Sequence, residues 1–221
     1  MVENRLRDHG LIVTVMMWVF ARLQYLSPTT WFYGERLATQ GTGDEVLQKS
    51  FNRALSIDIL VCGCLFIEIL LVGFSRPWPG TFIALSFVFC IWRLCDILQA
   101  TINLVIFDPL RVNGQKSHTT FSVVRTVILS IINYIEIILL FAIYYNSSIA
   151  HLNISSSLTG VEGLYFSVVT QFTVGFGDIY PKNGMTKLVV VAHCTIAWFM
   201  SIIVISRVVS LIPSPADRPR T

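Results

Sequence analysis

The chain has 221 residues, 54% of them hydrophobic and 13% charged, with a formal net charge of +3. Soluble globular domains carry about 25% charged residues, so this composition excludes an ordinary water-soluble protein and indicates a membrane protein. The small net charge comes without a basic cluster, which excludes nucleic acid as a partner.

The amino-terminal segment, residues 1–54, is predicted to be cytoplasmic or to lie at the membrane interface. Its apolar run at 11–20 is closely bounded by Arg7 and Arg22. The run is short for a span, since crossing a bilayer takes roughly 20 mostly apolar residues. An interfacial helix is therefore favoured over a fifth span.

Four later segments are long and apolar enough to cross a bilayer as helices. We expect these spans at residues 55–74, 81–107, 125–145 and 186–212. The first two are separated by Arg76-Pro77-Trp78-Pro79-Gly80, which has three helix breakers in five residues and predicts a tight turn. Pro213 and Pro215 close the fourth span.

A shorter apolar piece, residues 161–172, lies between the third and fourth spans. A helix of about 12 residues rises only about 18 Å, which is too little to cross the hydrocarbon. Thr159 and Glu162 predict a capping box at its start. The piece then runs into glycine-rich backbone, which is tolerated at membrane depth only inside protein or along a water-filled path. The segment therefore predicts a pore.

The distribution of basic residues predicts the orientation of the chain. Twelve of the 16 Lys and Arg residues fall on the side of the two chain ends, and only Arg76, Lys182 and Lys187 fall on the opposite side. Basic residues are enriched in cytoplasmic loops, so both termini are predicted to be cytoplasmic. The short helix and the glycine-rich stretch then enter the membrane from outside.

The stretch Thr173-Val174-Gly175-Phe176-Gly177-Asp178 resembles the selectivity filter of potassium channels, and its Gly-Phe-Gly form is similar to two-pore-domain and inward-rectifier variants. The resemblance covers roughly residues 161–210. It implies that K⁺ binds the backbone carbonyls of Thr173, Val174, Gly175 and Phe176, with the Thr173 hydroxyl below them. Carbonyls that point the same way need alternating backbone handedness, and Gly175 and Gly177 accept positive φ. One chain supplies one such strand, so the resemblance implies a closed homotetramer.

The resemblance also implies residues that support the filter. Tyr165 and Phe166 correspond to an aromatic cuff, and Asp178 to the acid at the outer mouth. Val169 stands where some bacterial members carry a Glu paired with that acid, so Asp178 is expected to lack this partner. Phe172 replaces a small polar residue near the inner entrance of the filter.

The fourth span contains no glycine from Met185 to Ile212, and Ala197 stands where many members have a hinge glycine. Rigid tilting or gating at the filter is therefore favoured over bending at one point.

The charged side chains inside the spans have a structural interpretation. Arg93 is expected to be neutralised within the helix bundle by Asp96, Glu68 or Glu136, because a lone charge in the membrane is costly. Neither of the first two spans has the repeated basic residues of a voltage sensor.

His193 and Cys194 favour packing over a metal site. All five cysteines lie in apolar segments, so small buried side chains are favoured over disulfides or metal ligands. These cysteines are Cys62, Cys64, Cys90, Cys95 and Cys194.

These observations predict an all-α membrane protein with four transmembrane helices, a re-entrant pore helix and filter, and a homotetrameric pore. Its parts are two peripheral helices, a cytoplasmic loop, a pore domain and a short cytoplasmic tail. Their bounds are 55–107, 108–124, 125–212 and 213–221. The expected function is passive, potassium-selective conduction in the cell membrane, with K⁺ as the permeant ion, no cofactor and no enzymatic activity. The expected partners are the lipid bilayer and three further copies of the chain. A weakly selective cation channel and a non-conducting membrane subunit remain as alternatives.

Overall fold

The structure is a computed structural model in which the chain forms two units, one of residues 1–60 and 95–119 and the other of residues 61–94 and 120–221. The described residues are 15, 22, 43–73, 80–102, 105, 123–147, 152–153 and 161–209. Apart from Val15, the predicted interfacial run lies outside them, as do the tail and most of the predicted cytoplasmic loop.

Five helices and one short strand pair make up the described fold. The helices are α1 (Gly43–Gly73), α2 (Gly80–Ile102), α3 (Val123–Ser147), α4 (Glu162–Gln171) and α5 (Gly184–Val209). The strands β1 (Leu152–Asn153) and β2 (Tyr180–Pro181) pair antiparallel, with Leu152 opposite Pro181. The predicted all-α class is confirmed, with this two-residue ladder as its only described β-structure.

Four of these helices are long and apolar enough to cross a membrane, as predicted. Their spanning parts are Ala54–Gly73, Gly80–Ile102, Val124–Ser147 and Gly184–Val209. A helix satisfies its backbone hydrogen bonds internally, which lipid requires of any spanning segment. α4 has 10 residues and does not reach across.

The second unit is built around α3, which contacts both α4 and α5. The middle of α3 is almost continuously buried, and Ile137, Ala142 and Tyr145 have no exposed surface. α4 is fixed to it where the Ser167 hydroxyl donates to the Ile138 carbonyl at 2.7 Å. The short helix is thus held against a spanning helix at membrane depth.

The first turn of α4 approaches α3 at Gly163. The Gly163 amide donates to Asn146 Oδ1 at 2.9 Å, and a Cβ on Gly163 would lie 2.7 Å from the Asn146 backbone nitrogen. Only glycine fits this approach. The predicted capping box is wrong, because Val161 is the N-cap residue, without a side-chain cap bond, and Glu162 is the first helical residue. Asn146 supplies an acceptor to the first turn instead.

The start of α5 has a side-chain cap. Asn183 Oδ1 accepts hydrogen bonds from the Thr186 amide at 2.8 Å and the Thr186 hydroxyl at 2.7 Å. Asparagine is a preferred N-cap residue because its side chain satisfies an amide that the first turn leaves unpaired. This cap marks the start of α5.

The intramembrane charges in the second unit meet at a buried ion pair. Arg93 of α2 lies 2.7 Å from Glu136 Oε2 of α3, and the side chains are 1% and 0% exposed. This confirms that Arg93 is neutralised by a carboxylate of another helix. Glu68 of α1 is also buried, and neither of its oxygens has a hydrogen-bond partner among the described residues.

The cysteines are free thiols, as predicted. Cys64 and Cys90 are buried, whereas Cys62 and Cys95 are exposed on their helices. The prediction of buried side chains is wrong for Cys62 and Cys95, and Cys194 is half-buried. Apolar segments of spanning helices have an outer face as well as a packed face, and sequence hydrophobicity does not distinguish the two.

Candidate functional site

The strand that follows α4 has an alternating backbone. Thr173, Gly175 and Gly177 have φ values of 56°, 58° and 79°, while φ is not positive at Val174 and Phe176 between them. The positive φ expected at Gly175 and Gly177 is therefore present. Thr173 adopts a positive φ as well, although a left-handed conformation costs a side-chain-bearing residue roughly 1–2 kcal/mol.

Hydrogen bonds to the last turn of α4 hold the start of this strand. The Thr173 amide donates to the Thr170 carbonyl at 3.0 Å, and the Val174 amide donates to the Val169 carbonyl at 2.9 Å. Thr173 is thus bonded directly to the end of α4, and these hydrogen bonds account for its positive φ. Any shift of this helix end is passed to the first residue of the strand.

One face of the strand is open in a single chain. Val174 and Phe176 are 52% and 70% exposed, and a Cβ on Gly175 or Gly177 would meet no atom within 4 Å. The need for glycine at these two positions therefore comes from φ and not from crowding within the chain.

Tyr165 and Asp178 lie together beside the outer end of the strand. The Tyr165 hydroxyl donates to Asp178 Oδ2 at 2.7 Å. This hydrogen bond raises the pKa of Tyr165 above its ordinary value, because the bond to the carboxylate is lost when the phenol ionises. Asp178, which was expected to lack a Glu partner at Val169, is bound by a tyrosine instead.

The other two predicted support residues face the packed side of α4. Phe166 and Val169 are buried, and the Phe166 ring lies edge-on to Tyr145 of α3, with centroids 4.8 Å apart. Val169 contributes its carbonyl to the bond with Val174. Both residues therefore fix α4, while Tyr165 lies on the partly exposed side.

Residues 132–213 match a family model described as an ion channel. Over 107 residues, 48% of the chain, the sequence is 31% identical to Two-pore potassium channel 3 of Arabidopsis thaliana. Over 55 residues, 25% of the chain, it is 40% identical to Potassium channel protein kcv of Paramecium bursaria Chlorella virus 1. The predicted resemblance to the potassium channel pore family is confirmed over this segment. The matched regions cover 24% of the plant protein and 56% of the viral protein, and no solved structure matches the chain.

The matched segment, residues 132–213, contains a buried polar series of hydrogen-bonded side chains that the sequence did not reveal. Tyr145 Oη lies 3.1 Å from His193 Nδ1, and His193 Nε2 lies 2.8 Å from Gln171 Oε1. The Phe141 ring stacks on the imidazole, with centroids 3.8 Å apart and planes 6° apart. The prediction that His193 packs in the helix bundle is thus extended by two hydrogen bonds. Among the described residues, no group of three or more potential ligands could hold a metal ion.

Phe172 begins the connection from α4 to the strand and reaches back to α3. Its ring lies edge-on to Tyr134, with centroids 6.0 Å apart, and Tyr134 Oη lies 3.2 Å from Ser201 Oγ of α5. Phe172 nevertheless keeps 56% of its surface exposed. The aromatic residue that replaces a small polar one therefore has a packing partner within the chain.

Proposed function

We propose that the chain is a subunit of a passive, potassium-selective channel, in which four copies place their 173–177 strands around one axis. The observation that carries the proposal is the alternating backbone of the strand, with positive φ at Thr173, Gly175 and Gly177 directly after a half-length helix. In this conformation successive carbonyls turn to the same side. A dehydrated cation needs oxygen ligands in place of its water shell, and rings of such carbonyls supply them.

In the proposed filter, K⁺ is held by the carbonyls of Thr173, Val174, Gly175 and Phe176, and the Thr173 hydroxyl adds the lowest ring. Gly177 supplies the last turn of the strand, and Asp178, held by Tyr165, supports the outer mouth. The C-terminus of α4 immediately precedes the strand, and the partial negative charge of a helix C-terminus favours a nearby cation.

The uneven burial of the helices supports an assembly of several copies. In the apolar stretch of α3, 56% of the residues are buried within the chain, compared with 22% in α5. Leu188, Val191 and Trp198 of α5 are each more than 60% exposed. Neighbouring copies around a central axis would cover part of this helix as well as the open face of the strand.

The proposal places the channel in the cell membrane with both termini in the cytoplasm. The supporting observation is the excess of basic residues on the side of the two ends, twelve against three. The short helix then enters from the outer side, and ions move down their electrochemical gradient without a cofactor and without enzymatic chemistry.

The purified protein in planar bilayers tests the proposal. With potassium and sodium on opposite sides, the current is expected to reverse far from zero, at a potential that opposes the movement of potassium. Reversal near zero would support the weakly selective alternative, and the absence of any current would support the non-conducting subunit.

A matched pair of glycine variants tests the filter itself. Gly177→Ala places a Cβ at φ 79° and is expected to abolish selective conduction. Gly63→Ala, in α1, is the control, because a Cβ there meets no atom within 4 Å and the backbone φ is not left-handed. Selective currents through the Gly177→Ala protein would contradict the assigned filter.

A further inference from the structure

The buried polar series Tyr145–His193–Gln171 joins three helices of the matched segment by hydrogen bonds. Tyr145 lies on α3, His193 on α5 and Gln171 is the last residue of α4. The three side chains are 0%, 0% and 2% exposed. Buried polar groups at such a junction specify the relative positions of the elements that carry them, because each lost bond leaves an unsatisfied group behind.

The two hydrogen bonds define one tautomer of the imidazole. Gln171 Oε1 can only accept, so His193 Nε2 carries the proton and donates to it. His193 Nδ1 is then an acceptor and receives the hydroxyl proton of Tyr145. The donated protons of both hydrogen bonds therefore point along the polar series from α3, through α5, towards α4. The stacked Phe141 ring holds the imidazole in plane.

The bond from His193 is the hydrogen bond that fixes the Gln171 side chain. Gln171 Nε2 is buried and has no partner among the described residues. The orientation of the Gln171 side chain therefore depends on Oε1 and on His193. Without that bond, a buried amide on the last residue of α4 would have no hydrogen-bond partner within the described part of the chain.

The anchored residue is directly connected to the strained start of the strand. Thr173 lies two residues after Gln171, at φ 56°, and its amide is bonded to the carbonyl of Thr170, the residue before Gln171. A rotation or shift at the end of α4 changes where the carbonyl and hydroxyl of Thr173 point. These are the oxygens of the innermost proposed ion sites.

We propose that His193 is a positioning residue for ion selectivity, which acts through Gln171 to hold the inner end of the filter. This inference rests on the proposed function and adds a residue of the inner helix that does not touch the ion. In this proposal the hydrogen bond between His193 and Gln171 transmits movements of α5 to the filter.

The test removes the bond from each side. His193→Phe keeps an aromatic ring against Phe141 but loses both hydrogen bonds, and Gln171→Met keeps the length of the side chain but loses the acceptor. Both variants are expected to lower the potassium-to-sodium permeability ratio several-fold, because the end of α4 loses the hydrogen bond that fixes the Gln171 side chain. The double variant is expected to match His193→Phe, because the bond that Gln171→Met breaks is already lost in that variant.

Rescue and control variants separate positioning from general damage to the fold. His193→Gln restores a donor towards Gln171 and is expected to recover most of the selectivity. Met200→Leu changes another fully buried side chain of α5 without removing a hydrogen bond, and is expected to keep the permeability ratio of the wild type.

The wild-type recording distinguishes the two levels of the proposal. If the wild type does not discriminate potassium from sodium, the proposed function fails, and the positioning role fails with it. If the wild type is selective and Gln171→Met leaves the ratio unchanged, the positioning role alone is overturned, and this holds even if His193→Phe does not fold. Strictly additive losses in the double variant would also overturn it.

Discussion

Replacing Gly163 with alanine tests how closely α4 must approach α3. The added Cβ would collide with the side chain of Asn146 and would lie 2.7 Å from its backbone nitrogen. The hydrogen bond from the Gly163 amide to Asn146 Oδ1, now 2.9 Å long, occupies the same place. Because a backbone atom is among the contacts, rotating the Asn146 side chain relieves only part of the overlap.

The expected cost is the sum of two effects. Forcing one extra carbon into a packed site costs about 1–3 kcal/mol. Displacing Asn146 leaves a partly buried amide without its acceptor, which costs about 1–3 kcal/mol more. Alanine regains about 1 kcal/mol of helix propensity over glycine. We therefore expect Gly163→Ala to destabilise the protein by roughly 1–5 kcal/mol, with a clear loss of thermal stability.

Thermal unfolding of the purified protein in detergent measures this loss. Gly63→Ala is the control and is expected to be neutral or slightly stabilising, since nothing lies within 4 Å of its new Cβ. Adding Asn146→Ala to Gly163→Ala is expected to recover the part of the loss that comes from side-chain overlap. If the melting temperature of Gly163→Ala equals that of the wild type, the close approach of α4 to α3 described above is incorrect.

Three further changes have defined outcomes. Tyr165→Phe removes the hydrogen bond to Asp178. Because that bond raises the pKa of Tyr165, the bond stabilises the folded protein fully below about pH 10, the ordinary tyrosine pKa. The stabilisation is lost as the pH rises further and the phenol ionises. Thermal melts at neutral and alkaline pH should therefore show a wild-type advantage that disappears at high pH, and an advantage independent of pH would contradict this assignment. Arg93→Met removes the guanidinium that lies 2.7 Å from the buried Glu136 carboxylate and is expected to cost about 3–5 kcal/mol, much of it recovered by adding Glu136→Gln, which the same melts would measure. Ser167→Ala removes the bond to the α3 carbonyl and is expected to cost about 1 kcal/mol, and an unchanged melting temperature would show that this bond contributes nothing.

The spanning helices were predictable because the bilayer fixes both their length and their composition. Their ends were less so. The first span was expected to begin at Leu55, but α1 already includes Gly43. The residues between them carry charged and polar side chains, which extend the helix beyond its apolar part. An apolar run alone does not show where the helical backbone begins.

The strand was predictable at its glycines, and not at Thr173. Sequence reasoning assigns positive φ to residues without a Cβ, whereas the positive φ of Thr173 follows from the hydrogen bonds between the strand and the last turn of α4. The capping box failed for a related reason. A local pattern of Thr159 and Glu162 could not reveal that Asn146, from another helix, supplies an acceptor to the first turn.

The polar series behind the strand could not be predicted because its residues are far apart in the sequence. His193 is 48 residues from Tyr145 and 22 from Gln171, and nothing local to any of them shows the other two. The available signal was the presence of polar side chains in segments that are otherwise apolar. Such residues in a membrane protein have partners on other helices, because an unpaired polar group in lipid is costly.

The buried pair of Arg93 and Glu136 has a consequence for biogenesis. During synthesis α2 leaves the ribosome before α3, so Arg93 is made without the carboxylate that neutralises it. A charged arginine at the centre of a helix costs roughly 2.5–3.5 kcal/mol to insert, and before α3 is made the acidic groups close to it are Asp96, three residues on in α2, and Glu68 of α1. Release of α2 into lipid is therefore more favourable once α3 has joined it, and a polypeptide cut between the two helices is expected to integrate less stably.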